Sequence, residues 1–501
     1  MSITDQAPAQ EHPAATTFDS LDPATGQVVG THPVHTEEQV RAAVERARVE
    51  AQWWSGLDFA DRRRHLTAWK AAMVQRLPEL VDLMHREGGK PRGDAALEAG
   101  LAVEHIAWAA KNAKRVLRRR RVPSGLTMVN QSASLAYKPL GVIGVIGPWN
   151  YPVFTPLGSI AYALAAGNAV VFKPSEYTPG VGEWFAARFT EAVGRPVLQV
   201  VTGFGPTGAA LCRAGVDKLA FTGSTATGKR VMAACAETLT PVLIEAGGKD
   251  SVIVDADADV PAAADAALWG ACSNAGQTCI GVERAYVHEK VYDEFVSAIT
   301  AKAQALHAGP DDKIGPITMP SQLDAIDAHV RDALDRGGRA VVGGAGAVGD
   351  RFVQPTILVD VPEDSIAVQE ETFGPTLTIT KVRDMDEAVE LTNASRYGLG
   401  NTVFSKAEGV TIADRVRSGM SAVNGVITFA AIPSLPFGGI GDSGFGRIHG
   451  ADGLKEFTYA KAIARQRFKP ALELTTFDRT DKADQRFAKL IGVMHGRGAK
   501  D

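Results

Sequence analysis

Cysteine is scarce in this chain. Only Cys212, Cys235, Cys272 and Cys279 occur among 501 residues. None stands at metal-ligand spacing, and four thiols spread this way do not make a disulfide-stapled fold. The sequence therefore predicts a reduced, cytoplasmic chain without a metal site. A surplus of one charge is also missing. Lys and Arg number 53 against 57 Asp and Glu, so a nucleic-acid partner is not expected. The N-terminal MSITDQAPAQEHPAATTFDS has no basic stretch ahead of an apolar core, and reads as a tail instead of a signal peptide. An unbroken apolar run is lacking too. Residues 139–172 carry no charge, but glycines and Pro148, Pro152 and Pro156 interrupt them. They read as strand, turn, helix and strand, not as a membrane span.

What is present suits an ordinary soluble globular protein: 45% hydrophobic and 22% charged residues. The length predicts two or three domains. Helical spacing begins at Thr36, a residue type that caps helix N-termini. Further helices are expected over about 59–77 and over EAGLAVEHIAWAAKNAKRVL, the last running into Arg118–Arg121. That arginine run reads as a solvated helix end or subunit contact, with an anionic docking patch as the alternative. Residues 126–138 alternate as a β-ribbon does.

From there short aliphatic runs alternate with helical stretches: GVIGVIG, AVVFKP, VLQVVTG, KLAFTGS and PVLIEAGG. This pattern belongs to a parallel sheet covered on both faces. A second α/β unit starts after residue 247 with DSVIVD, a helix to about 275, RAYVHEK and RAVVGG. The tail after Lys461 is charged and mildly amphipathic, and would suit a helix.

Several of these strands end in residues that suit a ligand. FTGSTATGKR follows a strand and opens a helix, leaving room at Gly223 and Gly228 for a close anion. A plain tight turn would look the same. VTGFGPTG is a second glycine-rich strand end, and FKPSE ends a third with Lys173 and Glu176. An acidic residue there can accept hydrogen bonds from ribose hydroxyls, and open parallel sheets bind ligands at such ends. Glu245 closes another strand in IEAGGKD, where a surface acid is the plainer reading. Asn150 sits between two prolines in GPWNYP, as ordinary turn chemistry or as an oxyanion donor.

Cys279 lies in NAGQTCIGVER, among small polar residues and not among the aliphatics usual for a structural cysteine. Thiol, amide and carboxylate together describe one reaction. A thiolate attacks a carbonyl, Asn150 and a backbone N–H hold the oxyanion, a nicotinamide takes hydride, and Glu245 activates water against the acyl-enzyme.

With these residues in hand, the chain resembles the aldehyde dehydrogenase superfamily over about residues 20–465. The motifs run in family order: GPWNYP, KPSE, FTGS, EAGGK, GQTC, ETFGP and PFGGIGDSGFGR. The resemblance implies Cys279 as nucleophile, Glu245 as general base and Asn150 in the oxyanion position. It implies a dinucleotide site that includes Ser175, with Lys173 and Glu176 at the adenosine ribose and Ser224 at the pyrophosphate. Glu371 and Phe373 would meet the nicotinamide ribose and ring. Ile146, Pro148, Trp149, Gly205, Gly223 and Gly247 complete that site.

The implied fold is α/β, with a Rossmann-like parallel-sheet cofactor domain over 1–121 and 139–247 and an α/β catalytic domain over 248–442. A small β-ribbon for oligomerisation and a C-terminal tail would take 122–138 and 443–501. The family is dimeric or tetrameric, so a homodimer or homotetramer is expected, with contacts at the ribbon and near 455–468.

Departures are Ala246 in EAGGK, Gly441 in PFGGIG and the ending GRIHG; they bear on substrate and assembly, not on the proposed catalytic set. Glu176 should repel a 2′-phosphate, so NAD is expected, with NADP also possible. No cation follows Cys279 closely or occurs in ITFAAIPSLPF, and Ser273 stands where succinate-semialdehyde enzymes often carry arginine. An uncharged, medium-length aliphatic or aromatic aldehyde is therefore expected. Succinate semialdehyde is the alternative, with Arg284 the nearest cation and expected to face away. Retention of Glu245 argues against a coenzyme A-acylating enzyme. No histidine is placed to serve a redox-free cysteine hydrolase. A non-catalytic binding or structural protein on the same fold would not need thiol, acid and amide together.

Overall fold

The computed structural model describes residues 16–310, 312–470 and 472–496. Contacts divide the chain into a large unit, up to Val116 plus Pro139–Tyr459, and a small one, Leu117–Lys138 with the chain from Ala460 onward.

The large unit holds two open sheets. The first is six-stranded, in the order Gly444–Phe445, Val242–Glu245, Lys218–Thr222, Val142–Ile146, Ala169–Lys173 and Leu198–Val200. Its five longer strands pair in parallel, and Gly444–Phe445 adds on antiparallel. Residues 444–459 thus lie in the large unit, although the sequence had grouped them with the tail. Parallel strands need crossover helices, and these bury the sheet on both faces. The charge-free stretch resolves as expected. Strand Val142–Ile146 leads through a turn to helix Phe154–Ala166, whose 13 residues are all buried, and returns in strand Ala169–Lys173. Each Leu or Ile buried in that helix contributes roughly 1.5–3 kcal/mol. Gly167 stops the helix in the left-handed region, at φ 106°, a conformation cheap only for glycine. Among the described residues no helix is long and apolar enough to cross a membrane.

The second sheet has seven strands, ordered Arg339–Val342, Thr356–Val359, Thr376–Val382, Val282–His288, Asp250–Val254, Asn401–Phe404 and Ala422–Val423. All pair in parallel except the edge strand Arg339–Val342. The helix before Cys279 is Val260–Cys272, three residues shorter than its apolar pattern suggested. It stops because Ser273 turns extended, at φ −60° and ψ 143°, after which Asn274 and Ala275 take left-handed angles at φ 51° and 57°.

Local signals placed the N-terminal helices well. Thr36 caps helix Glu37–Gly56 and forms a capping box with Gln39, and Asp58 caps Phe59–Gln75. Helix Arg92–Leu117 ends before the arginine run, of which Arg120 and Arg121 enter the strand Arg120–Val122.

A three-stranded sheet, most of whose residues belong to the small unit, runs in the order Thr458–Gln466, Gln131–Pro139, Arg120–Val122. Its central strand is shorter than the expected ribbon, because Leu126–Met128 coil into a 3-10 turn. Helix Asp481–His495 forms in the tail and buries none of its residues.

Candidate active site

Register brings the ligand-type residues of the first sheet to one level. Ile146 pairs with Lys173 on one side and Phe221 on the other, and Thr222 pairs with Glu245. These are the carboxyl ends of adjacent parallel strands, where open sheets take their ligands. Gly205 opens helix Gly205–Arg213, and a Cβ there would meet no atom within 4 Å. Gly223 leads to Ser224, the cap of helix Thr225–Ala236. The Ser224 hydroxyl accepts the Thr227 N–H at 3.3 Å and donates to Thr227 Oγ1 at 3.0 Å, so an anion there would be met by backbone N–H groups. Lys173 is buried, and its ammonium donates to the Pro174 carbonyl at 3.0 Å and reaches Glu176 at 3.5 Å. Burial pushes its pKa down, and Glu176 opposes this. Ser175 also reaches Glu176, at 3.4 Å.

Beyond this row lies the thiol. Cys279 Sγ stands 3.6 Å from Glu245 Oε1. The second carboxylate oxygen accepts from Thr222 Oγ1 at 3.0 Å, a partner the sequence reading missed. Burial lifts the Glu245 pKa to about 7, against the two hydrogen bonds that favour its charge. Burial also raises the thiol well above its ordinary value, and the nearby Glu245, Glu371 and Asp250 add to the rise.

The turn Gly147–Pro152 carries Pro148, Trp149 and Asn150. The Asn150 amide donates to the Gln277 carbonyl at 2.9 Å, two residues before the thiol. Asn274 donates back to the Asn150 carbonyl at 3.1 Å. Among the described residues the second Asn150 side-chain N–H has no protein acceptor. The left-handed Asn274 and Ala275 bend the chain so that Asn150 and Cys279 share one loop system.

Glu371 and Phe373 come in from the second sheet's side. Glu371 accepts the Gly248 N–H at 3.0 Å, and a Cβ on Gly247 would collide with its carboxylate. Burial lifts the Glu371 pKa to about 8. Phe373 meets Trp149 edge-on at 5.7 Å between ring centroids. It holds φ 53° because Glu283 accepts its N–H at 2.9 Å and that of Thr372 at 2.8 Å.

A cleft partly open to solvent reaches Cys279. Leu97 and Leu101 come from helix Arg92–Leu117, Phe154 and Trp269 from two others, and Ile427, Ala430 and Phe437 from the stretch the sequence pointed to. Asp94, Leu97, Glu98 and Leu101 face it together. Their spacing is that of one helix face, a signal present in the sequence but not read as part of the site. Among the described residues no Lys or Arg lines this cleft. Arg284 is buried elsewhere, donating to the Lys249 carbonyl at 3.0 and 2.7 Å and to Tyr286 at 3.2 Å. Among the described residues no group of three or more His, Cys, Asp and Glu could hold a metal.

The fold and this geometry define the class first: an α/β protein of two mainly parallel open sheets, with ligand-type residues at the strand ends of one and an apolar cleft that reaches Cys279. A sequence profile described as the aldehyde dehydrogenase family matches residues 10–463. The chain is 35% identical over 490 residues to 4,4′-diapolycopene aldehyde oxidase of Methylomonas sp, covering 96% of this chain and 92% of that protein. It is 35% identical over 453 residues to a Mycobacterium ulcerans (strain Agy99) protein provisionally named succinate-semialdehyde dehydrogenase [NADP(+)] 2, covering 88% and 87%. The crystal structure of an NAD-dependent aldehyde dehydrogenase from Sinorhizobium meliloti superposes with a TM-score of 0.87 at 33% identity, covering 92% of this chain and 93% of that one. The chain belongs to the aldehyde dehydrogenase family.

Proposed function

We propose that the protein oxidises an uncharged aldehyde to the carboxylic acid through a covalent adduct on Cys279, with NAD or NADP as hydride acceptor. The observation that carries this reading is the 3.6 Å approach to Glu245 of the Cys279 thiol, which lines an apolar cleft.

The residues at the strand ends fit a dinucleotide. Gly205 leaves open space at a helix start, and the Lys173 ammonium has donors to spare beyond Pro174 and Glu176. Lys173, Ser175 and Glu176 would hold the adenosine ribose, the helix start at Ser224 the pyrophosphate, and Glu371 the second ribose. Ile146, Pro148, Trp149, Gly223, Gly247 and Phe373 would shape the remaining walls. When bound, the nicotinamide supplies the two-electron acceptor for the aldehyde hydrogen.

The protein's own groups do the rest. Deprotonated Cys279 attacks the aldehyde carbon, and Glu245 is near enough to accept the thiol proton. The spare Asn150 N–H and a backbone N–H meet the oxyanion, which a dry, preorganised site stabilises strongly. Once the thioester has formed and Glu245 has passed the thiol proton to solvent, Glu245 takes a proton from water, and the hydroxide attacks the acyl carbon, breaking the C–S bond to release the carboxylic acid and the Cys279 thiolate. A base near pKa 7 is matched to this task at neutral pH.

The cleft supports an uncharged substrate. A carboxylate-bearing aldehyde would face Asp94 and, among the described residues, no lining cation, and an unpaired buried charge is costly. This argues against succinate semialdehyde.

The test is NADH fluorescence with purified protein, NAD and a panel of aldehydes in the absence of coenzyme A. Turnover is expected without coenzyme A, and its absence with every aldehyde rejects the reading. Cys279→Ala should abolish turnover yet keep NAD binding. Glu245→Gln should give one burst of NADH and then stall; normal steady turnover would assign the base elsewhere.

A further inference from the structure

Two polar groups in the apolar cleft are not consumed by the protein. We propose that Asp94 and Ser273 form a hydroxyl-binding subsite, and that the preferred substrates are neutral aldehydes carrying an alcohol or phenol group on an apolar body. The proposal rests on the aldehyde-oxidising reading above and names its substrate class.

Both residues line the same cleft as Cys279. The Asn274 N–H donates to Asp94 Oδ2 at 3.2 Å, which sets the carboxylate beside the residue that follows Ser273. Asp94 Oδ1 has no protein donor among the described residues. Ser273 is 8% exposed, and its hydroxyl is buried without any hydrogen-bond partner. A buried polar group without a partner costs roughly 1–3 kcal/mol, so an orphan beside a cleft points to something that fills the cleft. As placed, the hydroxyl is closed off from the cleft, so the subsite requires the Ser273 side chain to turn about its Cα–Cβ bond, which breaks no hydrogen bond.

The two groups are complementary to one O–H. Asp94 accepts the substrate's proton, and Ser273 donates to the substrate's oxygen. The other acidic lining group is already committed: Glu98 pairs with Lys90 and accepts the Val153 and Phe154 N–H groups at 2.8 and 3.0 Å. The Tyr151 hydroxyl is taken by Thr278 at 3.0 Å. An ammonium group is a poorer match, since it would lose its hydration for one free carboxylate oxygen amid apolar walls. The flanking Leu97, Leu101 and Trp269 suit the hydrocarbon part of the substrate.

The test compares kcat/KM for matched pairs: 6-hydroxyhexanal against hexanal, and 3- and 4-hydroxybenzaldehyde against their methoxy analogues. The methoxy group keeps the ring electronics and removes the donor. At least one hydroxylated member should be favoured by about tenfold or more, because a site built to bond a hydroxyl discriminates against its absence. In Ser273→Ala and in Asp94→Asn that ratio should shrink to within about threefold. Asn keeps an acceptor for the Asn274 N–H but offers the cleft a donor. Reading a ratio within each variant cancels any general loss of active protein. If every hydroxylated aldehyde is equal or inferior to its partner, or if the preference survives in both variants, the subsite is refuted. If no aldehyde gives NADH at all, it is the oxidation itself that fails.

Discussion

At Glu245 and Glu176 single carboxylates control what the site can do. Glu245, lifted to about 7 by burial, is about half protonated at neutral pH. Only its ionised form can take a proton from water. Hydrolysis of the acyl-enzyme should therefore rise nearly tenfold per pH unit below about 7 and level off above it. Stopped-flow separation of the NADH burst from steady turnover measures this step directly. Glu176 stands within reach of Lys173 and Ser175. A 2′-phosphate would lie against its charge, so a lower KM for NAD than for NADP is expected. Glu176→Gln should lower the KM for NADP by several-fold, since it removes a like-charge repulsion of about 1 kcal/mol or more. Steady-state kinetics with both cofactors decide the point.

At the scale of elements, the turn bearing Asn150 is fixed from outside itself. Glu98 on helix Arg92–Leu117 accepts the Val153 and Phe154 N–H groups, which would otherwise be orphans at the start of helix Phe154–Ala166. Lys90 neutralises Glu98 and lies 3.7 Å from the Tyr151 ring centroid. Lys90, Glu98, Val153 and Phe154 are all buried. Glu98→Leu leaves a buried ammonium and two N–H groups unpaired, and should cost about 3–5 kcal/mol. Tyr151→Phe keeps the ring under Lys90 and loses one hydrogen bond, so about 1 kcal/mol is expected. Urea denaturation of the two variants gives both figures. The elements themselves were largely legible. The capping box at Thr36, the Asp58 cap and the aliphatic strand runs are local signals, and they form where the sequence indicates. The helix before Cys279 stops early at the extended Ser273, and the left-handed Asn274 beyond it is held by hydrogen bonds to Asn150 and Asp94, which no local pattern reveals.

For the whole molecule, burying acids ties stability to pH. Burial raises Glu245 and Asp250 to about 7 and Glu371 to about 8. A carboxyl raised in the folded state binds its proton more tightly there than in the unfolded chain. Its contribution is therefore complete below the unfolded value of about 4 and fades as pH rises through the folded one. The cofactor-free protein should lose thermal stability between about pH 5 and pH 8 from these groups. Glu371→Gln should flatten that profile and exceed the parent Tm near the alkaline end; scanning fluorimetry across pH reads it out. The small unit also bears on assembly. Its sheet ends in the strands Thr458–Gln466 and Arg120–Val122, and free edges invite pairing with another chain. We expect a homodimer or homotetramer, with mass from light scattering as the check.

The sequence alone determined the two parallel α/β sheets and the order of the chemical motifs. It did so because buried strands, helix caps and strand-end glycines each follow from short-range patterning. It also named Cys279, Glu245 and Asn150 as candidates. Only the tertiary structure decided that the thiol meets Glu245 at 3.6 Å, that Thr222 backs the acid, and that Arg284 is committed away from the cleft. It alone put Asp94 and Ser273 on the same wall. Such distances join residues far apart in the chain, and they depend on how sheets and helices pack, which residue spacing does not encode.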